Sequence, residues 1–377
     1  KYIGKSMPKI DGYEKVTGTA KYTVDYVNKV MLYAKMLTSP HAHAKINSIY
    51  IEKAKNMPGV KAVLTGDDCP LLVGVLLEDR PILAKKKVRY QGEPVAVVVA
   101  NSELSAERAV HEIIVEYEEL PVINSASEAF NSKVLVHENI NNYRILKPVN
   151  PIVNTNVANL VKIRKGNMQN GWKESDFTVE AEFSLPQSDH VALETRNVTC
   201  EIKKNGMVEI NTSSQAPFVV RKFISRYFQV PIGSVVVNTP YVGGAFGGKA
   251  AVELEYIAYL ASKAVGGKLV KLVNSREEDM ITSPVKIGLE AKIKFGCTKD
   301  GIIKAAELTY LVDGGAYSNM AVGITKSIAT DCTGPYNIEN VRCDAYCMYT
   351  NHPFATSFRG FGHGEYTFAI ERTIDLL

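Results

Sequence analysis

The chain is expected to fold as a mixed α+β protein with more than one domain. Three observations point there. Its 377 residues are enough for two or three separately cored domains. Short β-rich runs alternate with helix-like ones through the first 125 residues. A polar stretch carrying Pro148 and Pro151 then separates that region from a second alternating one.

Taken in order, residues 1–18 form a polar lead-in whose Asp11-Gly12 and Thr17-Gly18 pairs predict turns. Strands are expected over 32–37, 46–51, 60–64, 95–100 and 113–117, with a helix over 102–111. The first domain is drawn at 1–125, a linker at 126–160 and a second domain at 161–377. Within the second, strands are expected over 208–213, 234–238 and 271–273, and helices over 218–228 and 250–265. Asp300-Gly301 predicts a hairpin between strands at 289–295 and 302–311. Asp313-Gly314-Gly315 marks another turn, 341–349 reads as a strand, and a helix beginning near Tyr366 is still running at Leu377.

A formal charge of +4, from 44 basic and 40 acidic residues, is spread along the chain, which disfavours nucleic acid or a membrane surface as partner. No apolar run approaches the roughly 18 to 20 residues that cross a bilayer, and a cytoplasmic location is expected. The six cysteines lack the C-x2-C pairs of a zinc site and the compact runs of an iron–sulfur cluster. Cys343 and Cys347 share a face of their strand and read as small hydrophobes. His41 and His43, at alternate positions, invite a metal reading, but after Pro40 they fit a surface turn better. Lys85-Lys86-Lys87-Val88-Arg89 reads as a solvated basic edge.

Two stretches stand apart. Gly243-Gly244-Ala245-Phe246-Gly247-Gly248-Lys249 follows a β-rich run and precedes an apolar helix-like one, and Ser357-Phe358-Arg359-Gly360-Phe361-Gly362-His363-Gly364-Glu365 comes later. Glycine reaches positive φ and lets backbone N–H groups approach an anion or oxo group. The first loop lacks the G-x-x-x-x-G-K-[ST] pattern of a nucleotide-binding P-loop. Together, and with His190-Val191-Ala192-Leu193-Glu194-Thr195 upstream, they resemble the GGxFGGK, FRGFG and H-x-x-x-E-T segments of the xanthine dehydrogenase and aldehyde oxidase family of molybdenum hydroxylases.

That resemblance implies an α/β hammerhead domain, with residues 38–46 and 117–121 as its recognisable pieces, followed by the first part of a molybdopterin-binding domain. Residues 166–183 match its opening helix and strand, with Trp172 against the core and without chemistry. The implied cofactor is molybdenum-molybdopterin, the cytosine dinucleotide being one open form, with iron–sulfur clusters and FAD on partner subunits. In such enzymes a hydroxyl on molybdenum attacks an electron-poor carbon of an N-heterocycle or aldehyde, and a glutamate takes its proton. Gly244, Ala245, Phe246, Gly247 and Arg359 would then hold the cofactor, and Gln187, Phe246 and Arg359 would lie around the metal. Phe361, Lys326 and Ala250 would face the substrate.

Several positions depart from the family pattern. Ala250 replaces a purine-holding glutamate, and Ser327, beside Lys326, replaces an arginine nine residues before Tyr336, which argues against xanthine. Ser188 stands where a glutamine is expected, with Gln187 one position earlier. Gly364-Glu365 replaces Pro-Gln. The catalytic glutamate belongs to the family's C-terminal half, so no catalytic residue is assigned in this chain, and Glu365 and Glu371 are read as solvated helix residues. The expectation is a first half-subunit, completed by a C-terminal molybdopterin half, an iron–sulfur subunit and an FAD subunit, acting on a small molecule. The alternative is a non-catalytic assembly or cofactor-holding protein on the same fold.

Overall fold

The computed structural model describes residues 2–377 and bears out the mixed α+β class. A seven-stranded sheet runs in the order Val235–Asn238, Val208–Thr212, Asn197–Ile202, Val270–Val273, Leu32–Thr38, Pro94–Ala100, Val60–Thr65. It joins strands from residues 32–100 to strands from 197–273 at one parallel seam, with Leu32 opposite Val270.

Pro94–Ala100 makes plain why its sequence is continuously apolar. Side chains alternate across a strand. Val97 and Val99 enter the larger core with Leu272 and Ile257, while Ala96, Val98 and Ala100 enter a smaller one with Ala106 and Ala109 of helix Glu103–Val110. Covered on both faces, the strand has no solvent side to keep polar. Ser102 caps that helix by accepting the Ser105 N–H. Helices Pro217–Phe228 and Leu254–Ala264 close the larger core, where Phe228 stacks on Tyr259 with ring centroids 4.1 Å apart.

The second sheet has five strands in the order Val157–Lys165, Asn340–Met348, Ile303–Asp313, Gly288–Cys297, Phe177–Leu185. Leu289, Ala291, Ile293 and Phe295 point into a core with helices Ala321–Thr330 and His363–Leu376, while Lys292 lies exposed on the other side. The hairpin at Asp300-Gly301 forms as expected, with Gly301 at φ 79°. A smaller sheet pairs Lys87–Val88, Ala44–Tyr50 and Ile114–Glu119. No helix among the described residues is long and apolar enough to cross a membrane.

Several expectations are corrected. The turn at residues 11–18 contains a short helix, Gly12–Val16. The helix expected from 250 starts at Leu254, after a tight turn at Gly248–Ala250. Helix Ala321–Thr330 has no counterpart in the sequence reading. The basic run is not a free edge: Lys85 and Lys87 pair with Asp67 and Glu138, and Arg89 Nε donates to the Val136 carbonyl at 2.9 Å. His43 is not in a solvated turn but buried, its Nδ1–H donating to Pro121 O at 2.6 Å. No group of three or more His, Cys, Asp or Glu among the described residues is placed to hold a metal ion. Trp172 is half-buried against the sheet, with the Lys294 ammonium 5.0 Å from its ring centroid.

Candidate cofactor site

The two sheets each contribute one glycine loop. Residues 243–249 follow the edge strand Val235–Asn238 of the larger sheet, and residues 357–362 lie between strand Asn340–Met348 of the smaller sheet and helix His363–Leu376. They meet backbone to backbone, the Arg359 N–H donating to the Phe246 carbonyl at 2.9 Å. Gly247 sits at φ 105°, and a Cβ there would lie 2.4 Å from the Ser357 carbonyl oxygen. Only glycine allows that approach. A Cβ on Gly248 would strike the His190 ring at 2.7 Å. His190 in turn donates Nε2–H to Ser357 O at 2.7 Å and stacks on Phe358, with centroids 4.6 Å apart. The upstream histidine segment is therefore the floor under both loops.

The first loop is tethered from behind and left open in front. Glu194 accepts the Gly243 N–H at 2.7 Å, Gln215 Oε1 accepts the Gly247 N–H at 3.1 Å, and Arg196 donates to the Gly248 carbonyl. Among the described residues, no protein acceptor takes the N–H groups of Gly244, Ala245 and Phe246. Gly244 at φ 105° and Phe246 at φ 53° flank Ala245, which is not at positive φ, an alternation of the kind that builds a nest for an anionic oxygen.

Buried charges stiffen the base. Lys249 and Glu194 pair at 2.9 Å with side chains 4% and 8% exposed. Burial lowers the Lys249 ammonium pKa, partly offset by Glu194. Arg196 faces Asp279 at 3.5 Å, and its backbone N–H donates to the same carboxylate at 3.0 Å. Burial also pushes the Glu253 carboxyl up to about 7, against the pull of Arg80, and holds His190 below its ordinary pKa. Three small voids share Glu253 along their walls, two of them also lined by Arg80 and two by Arg196.

The structure brings most of the expected residues together. Gly244, Ala245, Phe246 and Gly247 form the rim, and Arg359 is exposed beside it with no ion-pair partner among the described residues. Phe361, at φ 51° and 36% exposed, lays its ring tip over Gly323, 3.9 Å from where a Cβ would stand. Lys326 is exposed one turn later on the same helix, without an ion-pair partner among the described residues. Ala250 ends the tight turn behind Lys249.

Gln187 makes its hydrogen bonds elsewhere. Its Nε2 donates weakly to Asp313 O at 3.4 Å and Pro353 O at 3.3 Å, and neither glycine loop is among its partners. The glutamine that does reach the first loop is Gln215, whose amide nitrogen has no protein partner among the described residues. The one local cue is that Gln215 directly precedes Ala216-Pro217, a helix start. Glu365 is not solvated but buried against Lys286, and Glu371 accepts the Tyr336 hydroxyl at 2.7 Å.

Residues 149–377 match the molybdopterin cofactor-binding domain, and residues 17–121 match the aldehyde oxidase and xanthine dehydrogenase a/b hammerhead domain. The chain is 32% identical to the nicotinate dehydrogenase large molybdopterin subunit of Eubacterium barkeri, covering 96% of this chain and 82% of that one. It is also 32% identical to a probable xanthine dehydrogenase subunit of Bacillus subtilis, covering 97% of this chain and 48% of that one. Among solved structures, quinoline 2-oxidoreductase from Pseudomonas putida superposes with a TM-score of 0.88 at 28% identity, over 100% of this chain and 48% of that one. The chain thus spans about half the length of two of these proteins and about four-fifths of the third.

Proposed function

Because this chain belongs to the molybdopterin cofactor-binding family of the xanthine, aldehyde and nicotinate dehydrogenases, we propose that its two glycine loops cradle the molybdenum end of a molybdopterin. The assembled enzyme would hydroxylate an electron-poor carbon of an N-heteroaromatic or aldehyde substrate with oxygen from water. The row of free N–H groups at Gly244, Ala245 and Phe246, with the unpaired Arg359 beside it, carries this reading. The residues fit the group: the rim offers donors and positive charge, which suit oxo and phosphate oxygens, and Gly247 leaves the approach unobstructed.

When bound, the cofactor supplies oxygen transfer and a two-electron sink. The chain's residues do the rest. Gly244, Ala245, Phe246 and the amide of Gln215 would donate to the cofactor's oxygens, and Gln215, which reaches the first loop, is the better candidate than Gln187 for the amide contact. Arg359 neutralises anionic charge as the group docks. Phe361 presents a ring face for a flat substrate, and Lys326 offers a cation for an anionic substituent. Ala250 provides no carboxylate to hold a purine, which favours substrates other than xanthine.

The nearby glutamates are engaged, Glu194 by Lys249, Glu365 by Lys286 and Glu371 by Tyr336, so the proton acceptor is assigned to a C-terminal molybdopterin half. Leu193 and Phe218, 92% and 80% exposed next to Glu194 and Gln215, offer apolar surface for that half to cover. Electrons would leave through iron–sulfur and FAD subunits in the cytoplasm, with the pterin as its cytosine dinucleotide. The name of the nicotinate relative, a large molybdopterin subunit, supports a multi-subunit assembly. The engaged glutamates also favour a second reading, a cofactor-holding protein without catalysis of its own.

The test is to purify the chain with its co-encoded partners, measure molybdenum, and assay N-heteroaromatics and aldehydes with a dye acceptor. Molybdenum with substrate oxidation is expected. Active, intact complex free of molybdenum rejects the proposal, and bound molybdenum without any oxidation favours the holding role.

A further inference from the structure

Glu194 touches the first glycine loop at both of its ends. Its backbone N–H donates to the Gly243 carbonyl at 3.1 Å, and its Oε2 accepts the Gly243 N–H at 2.7 Å. The same Oε2 accepts from Lys249 Nζ, six residues further on, at 2.9 Å. One carboxylate oxygen therefore closes residues 243–249 into a ring, with Gly244, Ala245 and Phe246 between its two anchored ends. Asn197 Nδ2 donates to the other oxygen at 3.3 Å and keeps the carboxylate from turning. The side chains of Glu194 and Lys249 are 8% and 4% exposed, so solvent scarcely competes for either contact.

The alternatives for this pair are weaker. Lys249 points back into the protein, so it is no phosphate ligand at the rim. Glu194 has both oxygens occupied, so it is no free base. What remains is geometry. Opening the ring would let the nest flatten, because glycine-rich backbone has little preference of its own to hold three N–H groups convergent.

We infer that Glu194 is a positioning residue, a buried brace that holds the Gly244–Ala245–Phe246 donors convergent before the cofactor arrives, with Lys249 as its second anchor. The inference rests on the cofactor reading above and names a residue through which that site acts. Supports of this kind behind a metal site characteristically change affinity or activity about 10- to 100-fold when removed.

The experiment compares Glu194→Ala, Glu194→Gln and Lys249→Met in the chain purified with its partners. Three properties are followed: bound molybdenum, the visible spectrum of the molybdenum centre, and amide hydrogen exchange of residues 243–249. Glu194→Ala should lose bound molybdenum about tenfold and exchange faster across the loop. Glu194→Gln keeps an acceptor for the Gly243 N–H but not the charge facing Lys249, and should fall between wild type and Glu194→Ala in both.

Folded Glu194→Ala with wild-type molybdenum, spectrum and exchange overturns the inference. So does a Glu194→Gln variant that loses as much as Glu194→Ala. If Glu194→Ala does not fold, Lys249→Met, which frees only the far anchor, must show the same loss, and wild-type behaviour there overturns the inference. If the wild-type complex holds no molybdenum, the cofactor reading fails instead, while the exchange measurement still decides whether Glu194 braces the loop.

Discussion

The Arg359 N–H reaches across to the Phe246 carbonyl at 2.9 Å, and this one peptide hydrogen bond couples loops from two different sheets. Its length depends on Gly247, the residue that follows Phe246. Gly247→Ala would place a methyl 2.4 Å from Ser357 O at a φ of 105°. The loops should part, with a loss of about 2 kcal/mol in stability and of most bound molybdenum. Denaturant midpoints and metal analysis check this, and an Ala variant that matches wild type in both rejects the coupling.

Gln215 and Gln187 separate the site from its surroundings. Gln215 is exposed and its side chain holds one hydrogen bond, to the Gly247 N–H, so Gln215→Ala should cost at most about 1 kcal/mol of stability. Its effect on turnover should be larger, about tenfold or more in kcat, because a fixed donor beside the reacting centre is lost. Gln187→Ala, which removes only weak bonds to Asp313 O and Pro353 O, should leave kcat within about twofold. Steady-state rates of the two variants decide between them. Equal losses would sink the assignment.

Glu253 predicts a pH effect. Burial raises its folded pKa from 4.5 to about 7, so the folded state holds the proton more tightly than the unfolded chain. Between pH 4.5 and about 7 the unfolded chain ionises first, and stability falls as pH rises, flattening above the folded value. The gap in unfolding free energy between wild type and Glu253→Gln should therefore shift against wild type by about 3 kcal/mol across that window. Chemical denaturation at several pH values tests it. A pH-independent gap means that Glu253 stays ionised against Arg80.

Phe361 bears on the substrate. Because the ring is partly exposed, with its tip over Gly323, Phe361→Ala should change stability by about 1 kcal/mol. It should raise KM for flat heteroaromatics about tenfold, with a smaller effect on non-planar aldehydes. Unchanged KM for both classes would remove the ring from the substrate face.

Local physics makes some of this molecule legible and long-range contact hides the rest. Pro94–Ala100 and the Asp300-Gly301 hairpin announce themselves because β-branched runs and Asp-Gly turns act over a few residues. The glycine loops are legible as a pair. Helix Ala321–Thr330 is not, since Gly323 and its β-branched neighbours carry little helical preference, and the sheet beneath supplies the stability. Arg89 sits in a run of lysines that looks solvated, and only the later Val136 carbonyl and Tyr317 ring draw it inward. Gln215 is harder to pick out than Gln187 because its partner, Gly247, lies a helix, a strand and a loop away in the chain.

The parallel seam from Leu32 opposite Val270 to Ala34 opposite Leu272 has a consequence for anyone who would dissect the protein. The polypeptide between residues 126 and 160 is itself packed, with Ala126, Val136, Ile140 and Val157 buried in the core beside the five-stranded sheet, so packing and ladder together weld the two regions. A protease nick within it should leave both fragments eluting together. A clone beginning after it would present the raw flank of Val270–Val273 and clump through that bare edge.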